Sequence, residues 1–429
     1  MLASLVLFLF AATAVRGASP CVDQYPYALD IGFYWASVTG VVDGNPQLEW
    51  TKSCLGLHAD SFDPTRPTVI GVHGLQSGSV EENVRFMIND TNDNILAAGV
   101  AAGWISLGYN FGAFMWTQYA DEPLSNFMRA EGKLNATDFL SGVEYLYVDR
   151  RTGRVAPPAD GERKSVVDLM YEHYLDHFPA PSQGEREAGP GPWIYGHSLG
   201  SQLTVLFTEM LITNTGTVPQ PIMPSRIALL DPVFSAEAKP YFVGNLCGRD
   251  TSDVLGCYMR QILGAGIAVE MYRSSFINRC IFSSENNAPM VANSAAAALK
   301  FNEWGTQKDG YCWNSNLLSH FNRGNINKLS NQLYNQHRSV VGWYLASFIT
   351  PNPPRICIKK ADNRCDATRS LALSAAMPAE DVLEWATRTV GGVTGDKACF
   401  YQFDDYASTR SVTPSDDLFF VDDCFRFNM

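Results

Sequence analysis

Residues 191–207 read Gly-Pro-Trp-Ile-Tyr-Gly-His-Ser-Leu-Gly-Ser-Gln-Leu-Thr-Val-Leu-Phe, and this is the most informative stretch of the sequence. The apolar run 193–195 predicts a short buried strand. Leu199, Leu203 and Leu206 then recur at helical spacing, which predicts a helix directly after it. The chain must therefore turn sharply from strand to helix within a few residues.

The turn itself is Gly196-His-Ser-Leu-Gly200, a G-x-S-x-G pattern. Glycine is expected on both sides because a Cβ there would collide with the neighbouring strand or helix. In this context the pattern predicts a nucleophile elbow, with the hydroxyl of Ser198 exposed at the tip and a helix N-terminus that favours developing negative charge. As an isolated pattern it could equally be a structural turn.

The bulk composition describes a globular chain that can build one large or two modest cores. It has 429 residues, 46% of them hydrophobic, and a formal net charge of −12. The negative charge argues against nucleic-acid binding and against electrostatic attraction to anionic membranes. Any contact with a membrane must then use apolar surface.

The N-terminus predicts a signal peptide over residues 1–18. Its apolar run is too short to span a bilayer, and the small residues 17–19 resemble a cleavage site. An N-terminal anchor is the alternative. Ten cysteines, all beyond the leader, suggest an oxidising compartment and up to five disulfides. Residues 89–91 and 135–137 are acceptor sequences for glycosylation in a secreted chain.

Strand and helix patterns alternate along the chain, which predicts a mostly parallel sheet covered by helices on both faces. Edge strands are expected over 20–60. The further strand patterns are 67–72, 104–109, 193–195, 226–230 and 267–274, the helix patterns are 166–175, 339–348 and 379–387, and 121–161 is expected to be an irregular loop. No C-x-x-C or His-rich cluster suggests a metal, and no cofactor is expected.

A serine nucleophile needs a base, an acid that orients the base, and donors for the oxyanion. Asp231 is the expected acid because it directly ends the strand that follows the Ser198 helix. Asp250 and Asp253 are weaker candidates in a loop that Cys247–Cys257 would close. Asp231 could alternatively only form an Asp-Pro turn.

The base must be a histidine downstream of Asp231, and His320 and His337 are available. His337 is favoured because it stands directly before the last apolar helix. The oxyanion donors expected are the backbone N–H groups of Leu199 and Leu75. His73 and His197 are interpreted as structural and packing residues.

Three motifs resemble the animal-type neutral lipases, the family of the pancreatic and lipoprotein lipases and the secreted sn-1 phospholipases. They are Val-His-Gly-Leu-Gln at 72–76, Gly-His-Ser-Leu-Gly at 196–200 and Leu-Leu-Asp-Pro at 229–232. The resemblance covers about residues 65–350 and implies an α/β-hydrolase fold over 19–350. It leaves 351–429 as a small Cys-containing extension, too short for the β-sandwich domain of many relatives. No colipase partner is therefore expected.

The resemblance implies a secreted ester hydrolase that meets a lipid ester at an oil–water or membrane interface. Triacylglycerol is the favoured substrate because the loops 234–265 and 277–336 are long, while the family's phospholipases tend to have short loops over the site. The alternatives are an sn-1 phospholipase and an inactive lipid-binding or storage homologue. The sequence does not indicate the oligomeric state.

Residues 277–336 are expected to form a lid-like insertion beside the site. A short helix is predicted through 295–301, with Leu299, Phe301 and Trp304 as the apolar groups that would cover the serine. The alternative is that these side chains pack onto the core and that the segment does not move. Cys280 and Cys312 could close the segment by a disulfide, on the basis of their position.

Overall fold

A computed structural model of the chain describes most of the predicted core. The residues described are 31–42, 45–76, 94–122, 127–135, 147–149, 154–156, 164–179, 191–214, 222–235, 238–273, 297–302, 337, 341, 344, 345, 348, 355–359, 365–372, 378–380, 400–404 and 419–423. The predicted signal peptide, His320, Trp304 and the Cys280–Cys312 pair lie outside these ranges.

Ten of the described strands form one sheet. From one edge to the other these are Asn45–Lys52 (β2), Gly32–Val42 (β1), Asn110–Met115 (β4), Thr68–Val72 (β3), Trp193–His197 (β7), Arg226–Leu230 (β8), Ala268–Arg273 (β9), Ala297–Asn302 (β10), Phe400–Asp404 (β13) and Phe419–Asp423 (β14). The seven strands from β4 to β13 run parallel to their neighbours, and β1, β2 and β14 pair antiparallel at the edges. This arrangement is the α/β-hydrolase fold, as the sequence predicts.

The described structure also includes six α-helices, a 3-10 helix at Pro240–Phe242 and two small hairpins. The helices are Asn94–Ser106 (α1), Thr117–Ala120 (α2), Phe127–Asn135 (α3), Val166–His177 (α4), Leu199–Thr213 (α5) and Thr251–Gly264 (α6). The hairpins pair Tyr147–Asp149 (β5) with Arg154–Ala156 (β6), and Arg355–Lys359 (β11) with Cys365–Ala372 (β12). Among the described helices, none is long and apolar enough to cross a bilayer.

Both faces of the sheet are covered, because alternate residues of each strand point to opposite sides. Ile194 of β7 packs in the main core, which includes Leu203 and Phe207 of α5. Its neighbour Trp193 instead contacts Trp104 of α1 and the buried Tyr344. The expectation of helices on both faces is therefore confirmed.

The helix α4 shows how local sequence sets an element boundary. Ser165 is its N-cap: the Ser165 hydroxyl accepts a hydrogen bond from the N–H of Asp168, and the Asp168 carboxyl accepts one from the N–H of Ser165. This reciprocal pair is a capping box, which satisfies amide groups that no helical carbonyl can reach. The helix ends at His177, just before Phe178 and Pro179.

Two predicted elements on the N-terminal side are wrong. The run 104–109 is not a strand, because α1 continues to Ser106 and β4 begins only at Asn110. Short apolar runs fit a buried helix as well as a strand. The segment 121–161 is not wholly irregular, because it contains the amphipathic helix α3, whose Phe127, Ala130 and Leu134 are buried.

The predicted helix over 295–301 is also wrong, because Ala297–Asn302 forms strand β10 between β9 and β13. Alanine-rich sequence has high helix propensity, and pairing with two strands distant in the chain overrides it. The rest of the lid remains a prediction. Strands β13 and β14 come from the C-terminal extension and lengthen the sheet, which the sequence analysis did not predict.

The disulfide Cys247–Cys257 is present, as expected from its position, and joins the middle of α6 to the loop before the helix. Cys54 is disulfide-bonded as well. Disulfides of this kind persist in oxidising compartments.

Three buried histidines should make the protein acid-sensitive. Burial lowers the pKa of His73 and of His173 to about 3, and that of His177 to about 4. Unfolding would return each toward 6.5, so between pH 6.5 and about 4 the unfolded chain binds more protons. The stabilisation is complete above pH 6.5 and is lost as the pH falls below it.

We expect the free energy of unfolding to fall by up to about 4 kcal/mol per pH unit near pH 5, from about 1.4 kcal/mol per histidine. Urea unfolding at pH 7, 6 and 5 measures this slope. His177→Phe is the matched variant, because the ring packs against Phe33 and Phe62. It should reduce the slope by about a third. An unchanged slope would mean that His177 is not a neutral buried group.

Candidate active site

Ser198 lies between β7 and α5 in the geometry of a nucleophile elbow. Its backbone has φ +55° and ψ −124°, and its N–H donates to Leu230 O at 2.9 Å. Among the described residues, the non-glycine positions with positive φ are Ser198 and Asp231, at +42°. Backbone strain of this kind is concentrated at functional sites. Both members of the pair belong to the expected constellation.

The two glycines of the elbow are required by close backbone approach. A Cβ on Gly196 would lie 2.5 Å from Gly200 O and from Thr204 Oγ1 in α5. A Cβ on Gly200 would lie 2.3 Å from Val72 O at the end of β3. The predicted collisions with helix and strand are therefore confirmed.

Ser198 is buried, with 7% of its surface exposed, so the expectation of an exposed hydroxyl is wrong. The loop after β3 passes directly against it: a Cβ on Gly74 would be 2.6 Å from Ser198 Cβ and 3.1 Å from its Oγ. An elbow brings its serine to the edge of the sheet, but the neighbouring loops decide how much water reaches it. The sequence carried no signal for that cover.

The expected oxyanion donors, Leu199 and Leu75, are sequence neighbours of the serine and of its loop contact Gly74. Leu199 is the first residue of α5, so its N–H is among those that no carbonyl of the helix can accept. Leu75 follows Gly74, the residue in contact with the Ser198 side chain. Leu199 is thus the residue after the serine and Leu75 the residue after its loop contact, and their role as oxyanion donors stays a prediction.

Asp231 and His337 are brought together across 106 positions of sequence. His337 Nδ1 lies 2.5 Å from Asp231 Oδ2. A carboxylate can only accept, so the proton is on Nδ1 and the lone pair of the ring is on Nε2. Asp231 is fully buried and His337 is 9% exposed. The tautomer is the one that a general base needs.

Ser198 and His337 are not hydrogen-bonded to each other among the described contacts. Catalytic hydrogen bonds are often long in structures without substrate and tighten in the complex. The structure therefore shows two separate contacts: Asp231 with His337, and Ser198 with the loop at Gly74.

His197 is placed against the expected base rather than elsewhere in the core. Its Nε2–H donates to the backbone carbonyl of His337 at 2.8 Å, and the two rings lie 4.5 Å apart. The interpretation of His197 as a packing residue was thus incomplete, because it also fixes the backbone of His337. Its position directly before Ser198 in the sequence was the indication that it lies near the candidate site.

The residues after His337 are anchored to the second face of the sheet. Tyr344 accepts from Trp193 Nε1 at 2.8 Å and donates to Glu270 Oε1 at 2.6 Å. Glu270 also pairs with buried Arg226, whose guanidinium lies 4.2 Å from the ring centre of Trp193.

A second anchor of the same segment is Leu345, whose backbone carbonyl accepts a hydrogen bond from Trp104 Nε1 at 3.1 Å. These bonds hold the segment that carries the base.

His73 is structural, as expected. Its Nδ1–H donates to Gly74 O at 2.8 Å, and its Nε2 accepts from the Trp116 N–H at 3.0 Å. Burial lowers its pKa to about 3, so the ring stays neutral. Both nitrogens are engaged in holding the loop beside Ser198.

The alternative acids lie on another element. Asp250 is the N-cap of α6 and Asp253 is in its first turn, next to the Cys247–Cys257 disulfide. Neither is joined to His337 by a hydrogen bond among the described contacts, whereas Asp231 is. Asp231 is therefore the better candidate on geometry.

One described cluster has the residue types of a metal site, formed by His58, Asp176 and His177. His58 Nε2 lies 3.1 Å from the Asp176 carbonyl, and His177 Nδ1 donates to His173 O at 2.8 Å. The two imidazole rings stack with their centres 4.4 Å apart. The cluster is a hydrogen-bonded link between α4 and the loop after β2.

Comparisons with known proteins add little to this geometry. No protein-family model matches the sequence, and no curated protein matches it. Matching solved structures include TT1662 from Thermus thermophilus, at 11% identity over 70% of this chain and 98% of that chain, with a TM-score of 0.28. A monoacylglycerol lipase from Paleococcus ferrophilus matches at 11% identity over 66% of this chain and 96% of its own, with a TM-score of 0.27. Scores this low carry no argument about activity, and the resemblance to animal neutral lipases stays a prediction.

Proposed function

We propose that this protein is a secreted carboxylic ester hydrolase that acts on acyl lipids through Ser198, His337 and Asp231. The observation that carries the proposal is the Asp231–His337 contact at 2.5 Å, formed at the carboxyl end of the strand next to a strained, loop-covered serine. Serine, histidine and aspartate follow the chain order Ser, Asp, His of α/β-hydrolases.

In this mechanism, Ser198 Oγ attacks the ester carbonyl while His337 Nε2 takes its proton. Asp231 holds the imidazole in the required tautomer and stabilises the imidazolium. The N–H groups of Leu75 and Leu199 bind the oxyanion, and His337 returns the proton to the departing alcohol. Water then repeats the sequence on the acyl-enzyme, with His337 as its base. This route uses no cofactor and no metal.

We propose triacylglycerol at an oil–water interface as the preferred substrate. The net charge of −12 disfavours anionic lipid surfaces, and the loop after Asp231 is long and carries its own helix α6. No colipase or nucleic-acid partner belongs to this proposal. The disulfides favour secretion.

The test is hydrolysis of emulsified triacylglycerol, phosphatidylcholine and a soluble p-nitrophenyl ester side by side. We expect all serine-dependent activity to be abolished by a fluorophosphonate and the triacylglycerol rate to be the highest. A phosphatidylcholine rate that exceeds it would make the protein a phospholipase. A pure, folded protein that hydrolyses none of the three and resists labelling would be a lipid carrier, and the proposed enzyme would be rejected.

A further inference from the structure

A buried polar cluster joins three separate parts of the chain near Asp231. Gln202 Nε2 donates to Glu131 Oε1 at 2.9 Å and to the carbonyl of Val233 at 2.6 Å. The carboxyl group of Glu131 also accepts from the hydroxyl of Ser235, and from its N–H at 3.4 Å. We call these three side chains, Glu131, Gln202 and Ser235, the Glu131 cluster.

The cluster connects the element that carries the nucleophile to the element that carries the acid. Gln202 is in the first turn of α5, four residues after Ser198. Val233 and Ser235 follow Asp231 by two and four residues. One N–H of the Gln202 amide bonds to the Asp231 loop directly, at the Val233 carbonyl. The other bonds to Glu131 of α3, which itself accepts from Ser235 of the same loop. Together these bonds hold the Asp231 loop against the helix that carries the nucleophile.

The Asp231 loop needs such support because its backbone is strained. Asp231 has φ +42°, in the left-handed region that non-glycine residues rarely adopt. A second bond between this loop and the elbow, from Val233 N to Ser198 O, is long at 3.4 Å. The shorter bond from Gln202 to the Val233 carbonyl is therefore the stronger restraint between the two elements.

Burial makes the restraint rigid. Glu131 and Gln202 are fully buried and Ser235 is 2% exposed. In a low dielectric environment such hydrogen bonds are strong, and a broken one leaves an unsatisfied polar group. The cluster can therefore select one position of the Asp231 loop over its alternatives.

We propose that Gln202 is a positioning residue for the acid, and that Glu131 orients it. Through the Val233 carbonyl, Gln202 fixes the Asp231 carboxylate where it meets His337 Nδ1. The proposal rests on the proposed function for its kinetic consequence, although the Asp231–His337 contact can be observed without catalysis.

The kinetic test uses Gln202→Met, which conserves volume and removes both donors. Small displacements of a catalytic group are costly, so we expect kcat on a soluble p-nitrophenyl ester to fall about 10- to 100-fold, with KM changed about 2-fold or less. Glu131→Ala should show the same fall in kcat with the same small change in KM. Glu131→Gln should recover most of kcat, because an amide can still accept from Gln202 and bond to Ser235.

The second readout is the proton on His337 Nδ1, which should give a low-field NMR resonance from its bond to Asp231. We expect this resonance to shift or broaden in Gln202→Met and Glu131→Ala and to stay unchanged in Glu131→Gln. Because it needs no turnover, it decides the proposal even if the wild type proves inactive and the proposed function fails.

The matched control is Lys133→Met, which breaks a different polar pair of α3, the 2.7 Å bond from Lys133 Nζ to Glu122. It should lower stability but leave kcat and the resonance as in the wild type. A folded Gln202→Met protein with an unmoved resonance, or a kcat loss no larger than in Lys133→Met, would overturn the proposal. If Gln202→Met does not fold, Ser235→Ala, which removes one bond to Glu131, decides it by the same two readouts.

Discussion

Ser198→Ala should lower kcat/KM on every ester substrate by about a million-fold, because loss of the nucleophile removes nearly all catalysis in serine enzymes. The protein should still fold and be secreted. Alanine is smaller than serine, and the Ser198 backbone is held by bonds of its N–H to Leu230 O and of its carbonyl to Ser201 N. Initial rates together with a thermal unfolding curve measure both effects.

Ser201→Ala is the matched control, one turn along the same helix. Ser201 is fully buried and its hydroxyl donates to Gly196 O at 2.7 Å. Removing that hydrogen bond should cost about 1 kcal/mol of stability and change the rate only a few-fold. Comparable activity in the two alanine variants would remove Ser198 from the chemistry, and the proposed reaction with it.

His337→Ala should cost about as much activity as Ser198→Ala, since the members of a triad act as a unit and their losses are not additive. The double variant should be no slower than either single variant. Because His337 is bonded to buried Asp231, its removal also leaves that carboxylate without this partner. Some loss of stability should therefore accompany the loss of rate, and rates must be corrected for the folded fraction.

His320→Ala is the comparison that decides between the two candidate bases. It should change the rate little, and its unfolding should resemble that of the wild type. If His320→Ala were the inactive variant and His337→Ala retained activity, the base would belong to the segment 277–336. The contact between Asp231 and His337 would then be structural.

Local sequence predicted the elements on which the site depends. The strand, elbow and helix around Ser198 are set by neighbouring glycines and by apolar spacing, and Asp231 follows from its place at the end of β8. Both residues sit where a short-range pattern is sufficient. His337 was harder, because only the fold brings it to Asp231.

The errors have a common physical cause in long-range contacts. Alanine-rich β10 is a strand because β9 and β13 lie on either side of it, and β13 is about 100 positions away. The helix α3 has a polar sequence, yet Glu131 and Lys133 are buried because Gln202, Ser235 and Glu122 satisfy them. Polarity alone had suggested a surface loop.

Covalent labelling with a fluorophosphonate, followed by peptide mass spectrometry, tests most directly whether Ser198 is an activated nucleophile. A fluorophosphonate phosphonylates a serine only where a base and an oxyanion hole activate it. The account predicts one adduct per chain, on the peptide that contains Ser198, and none in Ser198→Ala. An adduct on another serine, or no adduct on a folded wild-type protein, would contradict it.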